Sequence, residues 1–360
     1  MQTSTNSHRT APIHVPSDVN HLLYRFNISF DRFLTTSNPK LAKGADRARS
    51  AILHHLPHRA LAQAVNRRTN GPTAPRSFLP ELAFIAEREG LVGVAARHNG
   101  CPWATNGCAA GCLAWAGHGG LSSTVASARG RRTLAMLADP STYARAILWA
   151  VAREWHRANR EGLPLAVRLR GTDEGPVVGW HRLRFPLSVR EAITLERRFG
   201  LIVNHGSDIT LGEVLALHRI GGSIKLYDYT KSPLSGPLGA IQQHAAGWDV
   251  TVSMAADRPS AVADAMAAIR AGFRVAVPVA LDKGAPLPHT LRLAVGSDAI
   301  DVPTVNGDLT DHRWADPPAV AVILRQKRSR GADPRLASAF VLAGHTDPQA
   351  LRDGTATLLF

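Results

Sequence analysis

The sequence predicts an α/β protein built on a parallel sheet. Three observations carry that expectation. Short apolar runs alternate with helical stretches along most of the chain, the pattern of βαβ units. Several of those runs end in polar clusters, "RGTDE", "YDYTKS" and "SMAAD", and in parallel folds the C-terminal strand ends build the site. The hydrophobic fraction of 45% is enough for a sizeable core, and no run of apolar residues is long enough for a membrane span.

The elements follow in order. The first twenty residues are polar and read as disordered. Residues 38–68 have helical character, and "TNGPTAPRS" (69–77) is a loop punctuated by Gly and Pro. "GLVGVAARH" (90–98) reads as a short buried strand. "DPSTYARAILWAVAREWHRANREG" (139–162) is a helix with Asp139 as N-cap, Pro140 at the first helical position and Gly162 beyond the end. Strands are predicted within 163–174, 221–233, 248–257, 273–281 and 319–327, and helices over 188–200 and 260–272. Trp149 and Trp155 on the long helix read as core or groove-facing residues.

The chain carries a net charge of +14. Residues 1–78 hold eleven Lys and Arg against three Asp and no Glu, so eight of those charges sit there. Such a balance suits contact with nucleic acid or another polyanion, and it also suits plain solubility. The runs "RGRR" (129–132) and "RQKRSR" (325–330) read as solvated faces, with no interleaved aromatic residues to stack on bases. The N-terminal stretch lacks the apolar core of a secretory signal, and the odd, clustered cysteine count does not suit a disulfide framework. A cytoplasmic location is the expectation.

All three cysteines, Cys101, Cys108 and Cys112, fall in "CPWATNGCAAGC". Thiolates in a Gly-rich loop select zinc, copper(I) or iron–sulfur clusters. A zinc site would recruit His98 or His118 as fourth ligand. An iron–sulfur cluster of four irons held by three cysteines leaves one iron without a protein ligand, open to a small molecule. Three unliganded cysteines packed as small hydrophobes are the plain alternative.

Other polar groups compete for roles. "GHGG" (117–120) offers Gly117 and Gly119 as a backbone cradle for a phosphate or carboxylate. Lys231 in "YDYTK" suits a Schiff base, an anion site or a structural ion pair. "NGDLTDHRW" (306–314) gathers Asp308, Asp311, His312 and Arg313; Asp308 is a candidate for acid–base work, and an Asp311–Arg313 ion pair holding the loop is the plainer reading. His205 and Asp208 in "NHGSD" read as a turn.

Taken in order, "NPKLAKG", "CPWATNGCAAGCLAWAG", "ARGRRTLAMLADPSTYARAIL", "VRLRGTDE", "KLYDYTKSP", "VSMAADRP" and "TVNGDLTDHRWADPPAVAVILRQK" resemble the gene product 88 type proteins of phages and actinobacteria. A parallel α/β chain with three cysteines in one loop also resembles the radical S-adenosylmethionine (SAM) enzymes. That resemblance implies a partial or full parallel (β/α) barrel, of the TIM-barrel kind, over 79–330. Residues 1–78 read as a basic, partly disordered and helical extension, and residues 331–360 as a tail packing on the barrel. The resemblance implies a [4Fe-4S] cluster on Cys101, Cys108 and Cys112, and SAM or substrate facing Thr172, Asp173, Asp228, Tyr229, Thr230, Lys231 and Ser253. Asp173, Lys231 and Asp308 are the expected catalytic groups. The spacing C-x6-C-x3-C and Gly111 before the last cysteine depart from the commonest radical SAM pattern. A zinc-stabilised, non-catalytic nucleic-acid-binding protein is the alternative of another class.

Overall fold

The computed structural model describes residues 14–42, 47–57, 59–65, 79–110, 112, 122–176, 179–220, 224–281, 286–326 and 355–359. The elements before the second strand are α1 (Ser17–Arg25), β1 (Arg49–Ile52), α2 (Ala60–Val65), α3 (Pro80–Arg88), α4 (Val92–Arg97), α5 (Asn106–Ala110), α6 (Ser123–Ala138) and α7 (Pro140–Arg160). Then come β2 (Leu165–Arg168), β3 (Arg184–Leu187), α8 (Val189–Phe199), β4 (Gly206–Thr210), α9 (Leu211–Ile220), β5 (Ile224–Thr230), α10 (Ala240–Ala245), β6 (Asp249–Ser253), α11 (Ala261–Arg270) and β7 (Arg274–Val279). The chain closes with β8 (Thr290–Val295), β9 (Asp298–Asn306), β10 (Ala321–Arg325) and β11 (Thr355–Leu359).

The main sheet has nine strands in the order β1-β2-β5-β6-β7-β10-β9-β8-β11. From β1 to β10 the order follows the chain, and every neighbouring pair is parallel. β9 continues parallel to β10, β8 turns back antiparallel to β9, and β11 pairs parallel with β8. β3 and β4 form a separate antiparallel pair. A parallel sheet wound in one direction, with right-handed crossovers, puts its helices on one face. That face is visible in the burial: Val167, Leu226, Val250, Val275, Val277, Ala321 and Ile323 belong to the main core, with Trp149 and Trp155 of α7 and Met266 of α11. Residues of the other parity face away from the helices. Ala166 and Tyr227 form a small second cluster with Leu41 and Ala48, covered by Trp314. β1 and β11 are the two edges, and among the described residues no pairing joins them, so the full barrel is not closed.

Local signals set the long helices. The Asp139 side chain accepts the Thr142 N–H at 3.0 Å, and Pro140 opens α7. Ser188 and Glu191 make a reciprocal capping box on α8, and Gly200 ends it at φ 67°. α7 is tied to β1 through Glu154, a fully buried carboxylate that takes Arg49 at 2.9 Å, Arg153 at 3.0 Å and Arg157 at 2.9 Å. A buried carboxylate needs that much compensation, because an unpaired one costs several kcal/mol, about 3–5 when a partner is removed.

Several expectations are corrected. Residues 90–98 do not form a strand: α4 occupies most of them, with Val92 and Val94 exposed and only Ala95 buried. The first strand of the sheet is β1, inside the stretch expected to be helical; among the described residues of 38–68 the helix is α2 alone. α1 begins at Ser17, inside the stretch expected to be disordered. The 129–132 run lies in α6 and is not a solvated face. Arg129 is buried, Arg131 pairs with Glu81 at 2.7 Å, and Arg132 donates to the Arg32 carbonyl at 2.6 Å. The loop at 69–77 and residues 327–354 lie outside the described residues.

Candidate functional site

A cavity of about 490 Å³ opens at the C-terminal ends of β2, β5, β6, β7 and β10. The register lines up its wall: Tyr229 sits beside Thr251, Ser253 beside Ala276, and Pro278 beside Leu324. Cys101, Cys108 and Cys112 all line this one cavity. Cys108 is buried, and the other two are half-buried.

The cysteine segment is held from both sides. Its Gly100 carbonyl accepts the Glu174 N–H at 2.7 Å, which ties it to the end of β2. After β6, Asp257 accepts the Thr105 hydroxyl at 2.6 Å and the Gly107 N–H at 2.9 Å. Thr105 in turn accepts the Cys108 N–H at 3.1 Å, and Arg258 donates to the Trp103 carbonyl at 2.7 Å. Asp257 thus fixes the short helix that carries Cys108.

Lys231 is the charge centre of the thiol wall. Burial opposes its ammonium, yet Cys108, Glu174, Cys101 and Cys112 together hold its pKa above the ordinary lysine value. Burial pushes the Cys108 thiol up, against the pull of Lys231, which also hydrogen-bonds it. Glu174 accepts the Lys231 N–H at 3.1 Å and the Thr230 hydroxyl at 3.0 Å, and pairs with Arg170 at 3.4 Å. Thr230 and Ser232 share a hydrogen bond of 2.7 Å, and Gln243 donates to Ser232 at 3.0 Å. The amide oxygen of Gln243 accepts from Arg170. A buried network of this kind stays rigid only because each member has a partner.

Asp173 faces the same cavity and is anchored behind it. Its carboxylate accepts the Gly175 N–H at 3.0 Å and meets His55 Nδ1 at 3.3 Å. His55 Nε2 lies 3.0 Å from the Tyr143 hydroxyl, and its ring stacks on Trp180 at 6.0 Å. Next to Asp173, the Thr172 hydroxyl donates to the His55 carbonyl at 2.7 Å. His98 is buried close by, its Nε2 without a hydrogen-bond partner, and burial lowers its pKa. The chain from His55 to Glu174 therefore leaves the core, supplies the cysteines and returns to its own start.

Residues 55–174 match the family model described as gene product 88. The matched segment thus begins at His55, ends at Glu174, and contains all three cysteines. No curated protein and no solved structure matches the chain. The likeness to gene product 88 is therefore supported over that segment, and the likeness to radical SAM enzymes has no counterpart in these comparisons.

The wall opposite the matched segment comes from distant parts of the chain. Asp311 accepts Asn38 Nδ2 at 2.9 Å and lies 3.7 Å from Lys40. Lys40 donates to the Gly307 carbonyl at 2.8 Å and lies 3.8 Å from Asp308. Asp308 also accepts the Arg325 N–H at 3.0 Å. Burial works against the Asp311 charge, but Lys40, Arg168 and Asn38 hold its pKa below the ordinary aspartate value. The expected Asp311–Arg313 ion pair is replaced: Arg313 is fully buried and pairs with Asp316 at 2.9 Å.

Of the residues expected at the site, Cys101, Cys108, Cys112, Thr172, Asp173, Tyr229, Lys231, Ser253 and Asp308 all line the cavity. Asp228 does not line it. It is fully buried, accepts the Arg170 N–H at 3.2 Å, and lies 3.4 Å from Arg170 Nε and 3.7 Å from Arg168 Nε. Thr230 is likewise buried within the Glu174 network. Gly117, Gly119 and His118 lie outside the described residues. Asp208, in β4, pairs with Arg184 at 3.9 Å, away from the cavity. Sequence reasoning missed Glu174, Arg168, Lys40, His55 and Asp257. Glu174 closes the "RGTDE" cluster and Asp257 the "SMAAD" cluster, and both were within reach; Arg168, Lys40 and His55 carry no such polar strand-end mark.

Among the described residues no three His, Cys, Asp or Glu side chains converge as a site for a single metal ion. No helix among them is long and apolar enough to cross a membrane.

Proposed function

We propose that this chain carries an iron–sulfur cluster on Cys101, Cys108 and Cys112, facing a small-molecule cavity at the open end of a partial parallel barrel. One observation carries the reading: every thiol of the chain lines the same cavity, and all three act on the same half-buried lysine, Lys231. The donor set fits the group. A single zinc ion needs its ligands converged on one point, whereas a four-iron cluster spreads three thiolates over three irons. Lys231 supplies the positive charge that a wall of thiolates requires.

Bound there, a cluster with one iron lacking a protein ligand supplies a coordination point and an electron to a small molecule such as SAM. The chain's own groups surround that place. Thr172, Asp173 and Glu174 present the end of β2, and Tyr229 and Ser253 present β5 and β6. Asp228 holds the arginines behind them. Asp173 and Asp308 are the two carboxylates at the cavity for proton transfer, and Lys231 pulls against the burial that raises the Cys108 thiol. The basic surface suits a nucleic acid or nucleotide substrate.

Anaerobic purification with iron, sulfide and zinc analysis tests this, beside a Cys101→Ala/Cys108→Ala/Cys112→Ala variant. About four irons and four sulfides per chain, with visible absorption lost in the variant, is the expected result. One zinc and no iron would instead support the zinc-stabilised nucleic-acid-binding protein.

A further inference from the structure

The two arginines at the end of β2 are used very differently. Arg170 is engaged through its terminal nitrogens and its charge, donating to Gln243 and pairing with Glu174 and Asp228, while its Nε makes no hydrogen bond. Arg168 lines the cavity and, among the described residues, donates no hydrogen bond. Among the described residues it pairs with Asp228, at 3.7 Å from Nε, and Asp311 also acts on its charge. The guanidinium lies over the Tyr229 ring, 4.7 Å from its centroid, which fixes the plane of the fork. A guanidinium has five N–H donors in a rigid, planar arrangement suited to a carboxylate or phosphate. The Arg168 Nε is buried without a hydrogen-bond partner, and the rest of the fork reaches the cavity, where a ligand can take it.

The charges around it permit an anion. Lys40, Arg168 and Arg325 face Asp308 and Asp311 across this wall. Asp311 is already occupied by Asn38 and Lys40. The cavity has room for one molecule of coenzyme or nucleotide size.

We propose that Arg168, braced on Tyr229, is the anchor for an oxyanion of the ligand that enters this cavity, a carboxylate or a phosphate monoester. The inference deepens the small-molecule part of the proposed function and does not need the cluster: the thiols lie in the same cavity, but the anchor is made by β2 and β5.

The probes are inorganic phosphate and acetate, titrated calorimetrically into the wild-type protein and into the Arg168→Gln, Arg168→Lys and Arg270→Gln variants. Arg270 is an exposed partner of Asp298 and serves as the surface control. One site per chain for at least one anion is expected, weakened about tenfold or more in Arg168→Gln. Arg168→Lys should recover part of the loss, and Arg270→Gln should match wild type. Whichever anion binds more tightly names the source of the oxyanion. Phenylglyoxal modification of Arg168, mapped by peptide mass, should be slowed by the same anion in the wild-type protein, a readout that needs no variant to fold. No saturable binding of either anion, or equal binding in Arg168→Gln, would overturn the assignment. So would loss of binding in the triple cysteine variant, since the anion would then sit on the metal. Binding that persists in a chain free of iron would leave the anchor standing, whatever the iron and sulfide analysis says of the cluster.

Discussion

His55 Nδ1 lies 3.3 Å from the Asp173 carboxylate, and both side chains are shut off from solvent. With Nδ1 donating to Asp173, Nε2 is left to accept the Tyr143 hydroxyl at 3.0 Å. His55→Ala strands a carboxylate and a phenol inside the core. Stability should fall by about 3 kcal/mol, and Tyr143→Phe should cost only about 1 kcal/mol. Urea unfolding of both variants measures this; a loss below about 1 kcal/mol for His55→Ala would show that the contact is slack.

Lys231 sets the chemistry of Cys108. Lys231→Met removes the ammonium that counteracts burial, so the thiol pKa should rise further. The metal-free variant should be alkylated by iodoacetamide more slowly at neutral pH, with its rate profile moved to higher pH. A profile that coincides with wild type would place the lysine outside the thiol's influence.

Asp257 positions Cys108 without touching it. Asp257→Ala frees the Thr105 hydroxyl and the Gly107 N–H, a loss of about 1 kcal/mol on the scale of a helix cap. Amide exchange over 105–110 should accelerate while β5 and β7 stay protected. Metal content should drop in parallel, and Asp257→Asn should restore part of it.

What the sequence displayed was what local chemistry controls. Asp139, Pro140 and the Ser188–Glu191 pair announce α7 and α8, because capping is settled within four residues. The apolar runs of β5, β6, β7 and β10 announce buried strands. β1 carried no such mark: "RSAI" is four residues long and is stabilised by its pairing with β2. The Ala- and Val-rich stretch at 90–98 suits either period, and 92–97 fold as a helix that buries Ala95, flanked by the buried Leu91 and His98. At the site, clustering made the cysteines conspicuous. Arg168 was hidden, since "VRLR" looks the same whether its arginines meet solvent or a cavity. Asn38 and Lys40 reach the cavity only through contacts some 270 residues away in the chain, which no window of sequence contains.

Two buried groups pull the acid response in opposite directions. Burial pushes the Asp228 carboxyl up to about 6, against Arg170 and Arg168. The native state therefore holds this proton more tightly than the unfolded chain, and stability falls as pH rises from 3.8 to about 6. His54 is the reverse. Burial, then Arg129 and Arg168, hold its pKa well below 6.5, so its contribution is present above 6.5 and is lost on acidification. Asp228→Asn should lose the gain on acidification between those pH values, and His54→Gln should lose part of the acid-side decline. Denaturant midpoints from pH 4 to pH 8 compare the slopes; parallel curves for wild type and Asp228→Asn would refute the sign given for that carboxyl.

The one-directional winding of the sheet has a further consequence. Each wall of the cavity belongs to a different stretch of the chain, and the stretch bearing the cysteines closes on itself where Thr172 meets His55. The later strands and the 307–311 loop complete the opposite wall, and the loop after β6 braces the cysteine segment through Asp257 and Arg258. The molecule is thus divided like a tool with a fixed handle and an exchangeable bit. Replacing side chains on β6, β7 or β10 alters what fits inside while the thiol-bearing half keeps its own supports, so selectivity can drift without disturbing the machinery that it serves.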